Sequence, residues 1–123
     1  MKQTVHDILA VAFTCPTTIE VGDVALIDDD NEIIKNDAAG SLKIVGVVAT
    51  HKDDATTCVV NTKFRERRDD RLAGAACAVG PFVWDADMKA IEYDSNTHDS
   101  AAIAGIVIKA AAQGDDVIET LEY

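Results

Sequence analysis

Along the chain, short apolar runs alternate with breaks rich in Asp and Gly. Runs such as Val24–Ile27, Ile44–Val48, Phe82–Trp84 and Ile103–Val107 are too short for helices, and their flanking breaks mark turns, so they predict strands. The first twenty residues fit two patterns. Val5, Ile8, Leu9, Ala12 and Phe13 have helical spacing behind a possible Thr4–Asp7 capping box, whereas Leu9, Val11 and Phe13 alternate as a strand does. An extended arm or first strand, ended by Pro16, is the expectation.

The runs recur in order. Val21-Gly22 with its apolar run and Asp28-Asp29-Asp30 matches Val79-Gly80 with its run and Asp85-Ala86-Asp87. Ile44-Val45-Gly46-Val47-Val48 matches Ile103-Ala104-Gly105-Ile106-Val107, and Asp53-Asp54 matches Asp115-Asp116. The offset drifts from 58 to 62 positions, as expected of two copies of one unit separated by small insertions. Gly46 and Gly105, each inside an apolar run, predict a bulge or a close backbone approach. The Asp-rich stretches predict solvated hairpin turns, where Asp bonds its own backbone. The expected fold is mostly β: a small barrel or sandwich built from two pseudo-repeated β units with little helix. One domain over 1–123 divides into an arm or first strand (1–20), a first unit (21–60), a connector (61–74) and a second unit (75–123).

Composition supports the β reading. Ile and Val number 11 and 13 against 5 Leu, with 10 Thr, and β-branched side chains favour a pleated surface. No apolar run approaches the ~20 residues of a membrane span, and Met1–Phe13 lacks the pattern of a secretory leader. The formal charge of −11 argues against nucleic acid and anionic membrane as partners, since both are held through basic patches.

Charge is unevenly spread. All four arginines, Arg65, Arg67, Arg68 and Arg71, fall within seven residues of the connector. They could pair with Glu66, Asp69 and Asp70 in a solvated linker, or form a contact loop for an acidic partner, because arginine grips carboxylates bidentately. They are the candidate partner-binding residues.

Catalytic and metal patterns are weak. Asp28, Asp30 and Glu32 fit the opening of a calcium loop, but Ile33 and Ala39 stand where that loop needs Gly and Glu. His6, His51 and His98 have no partner at metal spacing, and Cys15, Cys58 and Cys77 form no C-x-x-C. A Cys58–His51 site could arise only by convergence in space. No P-loop, G-x-S-x-G or G-x-G-x-x-G occurs. No cofactor is expected. Lys89, close behind Val79-Gly80, partly resembles the modified lysine of biotinyl and lipoyl carrier domains, without their Met-Lys-Met signature.

Several segments together resemble the small head decoration, or capsid cement, proteins of tailed bacteriophages. They are Phe13-Thr14-Cys15-Pro16, Ile19-Glu20-Val21-Gly22-Asp23-Val24, Ile44–Val48, Ala78–Asp85, and Ile103–Val107 with Ala110-Ala111-Ala112 and Asp115-Asp116-Val117. Gly80-Pro81 departs from the family's usual Gly-Asp turn. The resemblance implies a β-barrel structural protein of the virion, not an enzyme. It would be a homotrimer that binds the major capsid protein on the outside of the expanded shell. Another phage structural module, of tail or baseplate, is the alternative.

Overall fold

A computed structural model describes residues 9–36 and 41–123. Among the described residues, ten strands form two five-stranded antiparallel sheets. The first contains β1 (Ala10–Thr14), β2 (Val24–Ile27), β3 (Ile33–Lys35), β4 (Ile44–His51) and β5 (Thr57–Thr62), in the order β1-β5-β4-β2-β3. The second contains β6 (Glu66–Leu72), β7 (Gly80–Trp84), β8 (Ala90–Glu92), β9 (Gly105–Lys109) and β10 (Val117–Glu122), in the order β6-β10-β9-β7-β8. The two orders are the same permutation. The only described helix is a single 3₁₀ turn over Ser100–Ala102. This is the small two-unit β fold expected from the sequence.

Duplication extends to fine detail. Asp28 Oδ1 accepts from the N–H groups of Asp30 and Glu32, and Asp85 Oδ1 accepts from those of Asp87 and Lys89. Both turns close with a residue at positive φ, Asn31 and Met88. The turns before the fifth strand of each unit also each hold one Asp in the left-handed conformation, Asp54 and Asp115. Each sheet also bulges at the same place: the extra residue is Ala49, between Val48 and Thr50 on β4, and Ile108, between Val107 and Lys109 on β9. Each sheet curls until its first and third strands meet at one parallel bridge, Thr14 with Glu32 and Ala73 with Ala90.

The structure corrects the sequence register in two respects. Ala25 pairs with Gly46 and Phe82 with Gly105, so Ala25 corresponds to Phe82 and Asp28 to Asp85, 57 positions on. The shared Val-Gly pairs, 58 apart, are therefore not equivalent: Gly22 precedes β2 in a turn, whereas Gly80 begins β7. Nor is 61–74 a connector. Its first two residues end β5 and residues 66–72 form β6, the counterpart of β1. The first unit thus begins at β1 and the second at β6. The residues at 1–8, including His6 and the Thr4–Asp7 pattern, lie outside the described residues.

Packing joins the units. One cluster holds Val11, Phe13, Ala25, Ile27, Val48 and Val60 of the first sheet together with Phe64, Ile106, Ile108 and Leu121. Ile106 and Leu121 stand opposite each other on β9 and β10. The other side of the second sheet, with Phe82, Val107 and Ile118, makes a smaller cluster with Ala73, Cys77, Ala90 and Ala111. The second sheet is therefore covered on both faces, one by its own loops and one by the first unit.

The two interior glycines do what the sequence expects. A Cβ on Gly46 would meet Asn61 O at 2.0 Å, and one on Gly105 would meet Leu121 O at 2.0 Å. Neighbouring backbones can draw together only where that carbon is missing. Gly46→Ala and Gly105→Ala should each lower stability by about 1–3 kcal/mol through overpacking. Urea denaturation reads this, and an unchanged midpoint would show that the strands separate freely at these points.

Candidate interaction site

Strand β6 carries Glu66-Arg67-Arg68-Asp69-Asp70-Arg71-Leu72 and lies at the edge of the second sheet, bonded only to β10. Charge on an open edge discourages pairing with a foreign strand. The same strand position in the first sheet, β1, is Ala-Val-Ala-Phe-Thr. Register sets Arg68 where Val11 stands and Arg71 where Phe13 stands. Two inward positions of the first barrel have thus become arginine in the second.

Each of those arginines is anchored. Arg71 grips Glu122 with Nε to Oε2 at 2.8 Å and Nη2 to Oε1 at 2.7 Å. The Thr120 hydroxyl donates to Glu122 Oε2 at 2.6 Å, and the Arg71 guanidinium lies 4.9 Å from the Trp84 ring centroid. The planar cation therefore satisfies a carboxylate and stacks on indole at once. Glu122 is only 6% exposed. Burial pushes its pKa up, but the hydrogen bonds from Arg71 and Thr120 outweigh it and hold the carboxyl below its ordinary value. Arg68 binds Asp70 through Nε at 2.9 Å and Nη2 at 2.7 Å, and reaches Glu66 at 3.3 Å. Its hydrogen bonds hold the exposed Asp70 carboxyl low. Arg67 makes one longer contact, to Glu119 at 3.2 Å. Arg65 precedes β6, donates its backbone N–H to Glu122 O at 2.8 Å, and has no side-chain ion pair among the described residues.

The four candidate residues thus share one strand edge but not one role. Arg71 ties β6 to β10 through Glu122 and Arg68 braces its own strand through Glu66 and Asp70, while Arg65 and Arg67 are more exposed, Arg67 keeping one contact to Glu119 on β10. The composite site of Trp84, Thr120 and Glu122 was hidden in the sequence, because its members lie far apart in the chain. Only the repeat could have exposed it, through Arg standing where its twin has Val and Phe.

A second surface lies on the outside of the first sheet. Directly opposed residues share a face, and the row Ala10–Asn61–Val47–Val24 runs across β1, β5, β4 and β2 with every member exposed. The adjoining row is Ala12–Val59–Thr50. Neither row contains a charged side chain.

Other sequence candidates fall to structural roles. His51 Nε2 lies 2.8 Å from Ala55 O, and His98 Nδ1 accepts the Asp94 N–H. The three cysteines are free and buried. Burial, helped by Cys15, pushes the Cys58 thiol up to about 12; burial and Glu92 raise Cys77 to about 11. Such thiols are almost wholly protonated near neutrality and poor nucleophiles. No group of three His, Cys, Asp or Glu among the described residues is placed to hold a metal ion. Lys89 binds Asp115 at 2.6 Å and stands behind the hairpin tip, which is made by Ala86 and Asp87. No described helix is long and apolar enough to cross a membrane. Compared with protein-family models, with curated proteins and with solved structures, the chain matches none.

The Glu122 network gives stability a pH signature. A carboxyl whose folded pKa is depressed contributes fully above its unfolded value, 4.5, and loses that contribution as pH falls through the folded pKa. Urea midpoints should therefore drop below about pH 4.5, and Glu122→Gln should flatten that drop. Arg71→Ala, which strands a nearly buried carboxylate, should cost about 2–4 kcal/mol at neutral pH. Parallel acid profiles for wild type and Glu122→Gln would assign the drop to other carboxylates.

Proposed function

We propose that this protein is a structural component of a phage virion, made in the host cytoplasm, which binds the outside of the expanded capsid and braces major capsid subunits. The observation that carries the reading is β6: an edge strand on which every arginine within the chain's strands is gathered, in a protein of net charge −11. The two solvent-facing arginines at this edge, Arg65 just before β6 and Arg67 on it, can meet carboxylates of an acidic partner, whereas Arg68 and Arg71 keep the strand rigid. Two barrels sharing one core suit a brace, because a stiff body loses little freedom when it docks. Assembly as a homotrimer, which the family resemblance implies, would multiply weak single contacts. Binding only the assembled shell stabilises that shell by mass action.

Co-sedimentation with expanded capsids and with unexpanded procapsids of the cognate phage tests this. Pelleting with expanded shells is expected, and absence from both pellets would sink the reading. Arg65→Ser with Arg67→Ser should weaken binding and flatten its salt dependence while leaving the fold intact. Unchanged affinity would move the capsid contact off this edge.

A further inference from the structure

Cys15 and Cys58 meet at one end of the first sheet. In the β1–β5 register Phe13 stands opposite Cys58, and the backbone N–H of Cys15 continues the ladder to Thr56 O at 2.9 Å. Cys15, two residues beyond Phe13, is therefore the diagonal neighbour of Cys58 on the same face of the sheet. That face is the inner one: each cysteine is only 3% exposed, and both belong to the larger core cluster. Their side chains are hydrogen-bonded to each other. Cys77 sits apart, in the smaller cluster of the second unit, with its thiol on Ala78 O. Only strand pairing joins the first two, so no sequence spacing announces them.

We propose that Cys15 and Cys58 form a redox pair, which a small disulfide compound converts to a cross-strand disulfide that fastens the end of β1 to β5. One cysteine sulfur, as thiolate, attacks the compound; its S–S bond breaks, and a mixed disulfide forms as the first small thiol leaves. The sulfur of the other cysteine then displaces the second small thiol. Two electrons pass from the cysteines to the compound, and their two protons end on the two thiols released. Diagonal sulfurs already in contact need only a small further approach. Cys15 can supply it, because it follows the last residue of β1 and leads into the turn closed by Ile19 N–H on Pro16 O. Entry is at the same end: His51, opposite Cys58 on β4, lines a hollow of about 390 Å³ with Thr17, Thr18 and Ile19. Because both thiols are nearly sealed from water, exchange is slow and runs through brief openings of the strand end. The link matters because β1 is an uncharged edge strand, held by β5 and by one bridge from Thr14 to Glu32. A cross-link there restricts the unfolded chain and keeps the edge from peeling. On the reading proposed above, the pair stays reduced in the host cytoplasm and closes after release into oxidising surroundings.

The chemistry itself needs no capsid, so this inference and the proposed function can fail separately. Incubating the folded protein with uncharged 2-hydroxyethyl disulfide tests it. The intact mass should fall by two hydrogens, and peptide mapping should recover Cys15 linked to Cys58. Alkylation in denaturant should then find one thiol of the three, at Cys77. The urea midpoint of the linked protein should lie above that of the reduced one, and dithiothreitol should bring it back. Cys77→Ser should link as the wild type does, whereas Cys58→Ser should give no internal link. Absence of a link in the wild type, both in buffer and in urea just below the unfolding midpoint, overturns the inference. So does a link that includes Cys77, or a Cys15–Cys58 link that lowers the midpoint. These outcomes are read on the wild type, so they stand even where Cys58→Ser folds poorly. A linked protein that pellets with neither expanded shells nor procapsids would leave the redox pair in place and remove the capsid reading.

Discussion

The structure depends on the burial of Ile106, Ile108 and Leu121 against the first unit. Apolar area removed from water is worth roughly 25 cal/mol per Å², and no ion pair on this surface competes with it. Because those side chains share one cluster with Val11, Phe13, Ile27 and Val60, neither barrel is complete alone. Everything else described is arranged around that joint. The glycines bring strands close enough to curl the sheets, the Asp turns fix the hairpins, and the charged edge strand closes the second barrel where the first uses valine and phenylalanine.

Polar closure of the second barrel has a different physical character. The Arg71–Glu122 pair exchanges hydration for two short charge-assisted bonds, a stacked indole and a hydroxyl donor. Such a pair contributes little beyond a well-packed apolar substitute, yet is expensive to break from one side. It therefore specifies register more than it adds stability, and it leaves that side of the barrel half open to water. The first barrel, closed by apolar side chains, has no equivalent sensitivity.

Much of this was legible in the chain because duplication repeats its punctuation. The Asp turns, the two interior glycines and the β-branched runs all report local backbone needs, which the chain states directly. The unit boundaries were harder. Six consecutive charged residues of mixed sign on β6 read as a linker, because strand patterns are recognised by alternating apolar positions and here those positions hold arginine. The Val-Gly pairs misled by one position for a related reason: a glycine before a turn and one opening a strand look alike in sequence. Glu122, Thr120 and Trp84 could not be joined to Arg71 without the pairing of β6 with β10, which brings together residues some fifty positions apart.

Strand order carries a consequence for how the protein reaches this state. In each sheet the fifth strand in sequence lies between the first and the fourth. The first strand of each unit is thus an orphan until the fifth arrives, however early it leaves the ribosome. β1 waits for β5, and β6 waits for β10. Long-separation pairings of this kind slow folding, since loop closure must precede any gain. The wait is not equally hazardous for the two. While β10 is being made, β6 is shielded from stray partners by its own charges; β1, which has none, has the shorter time to wait.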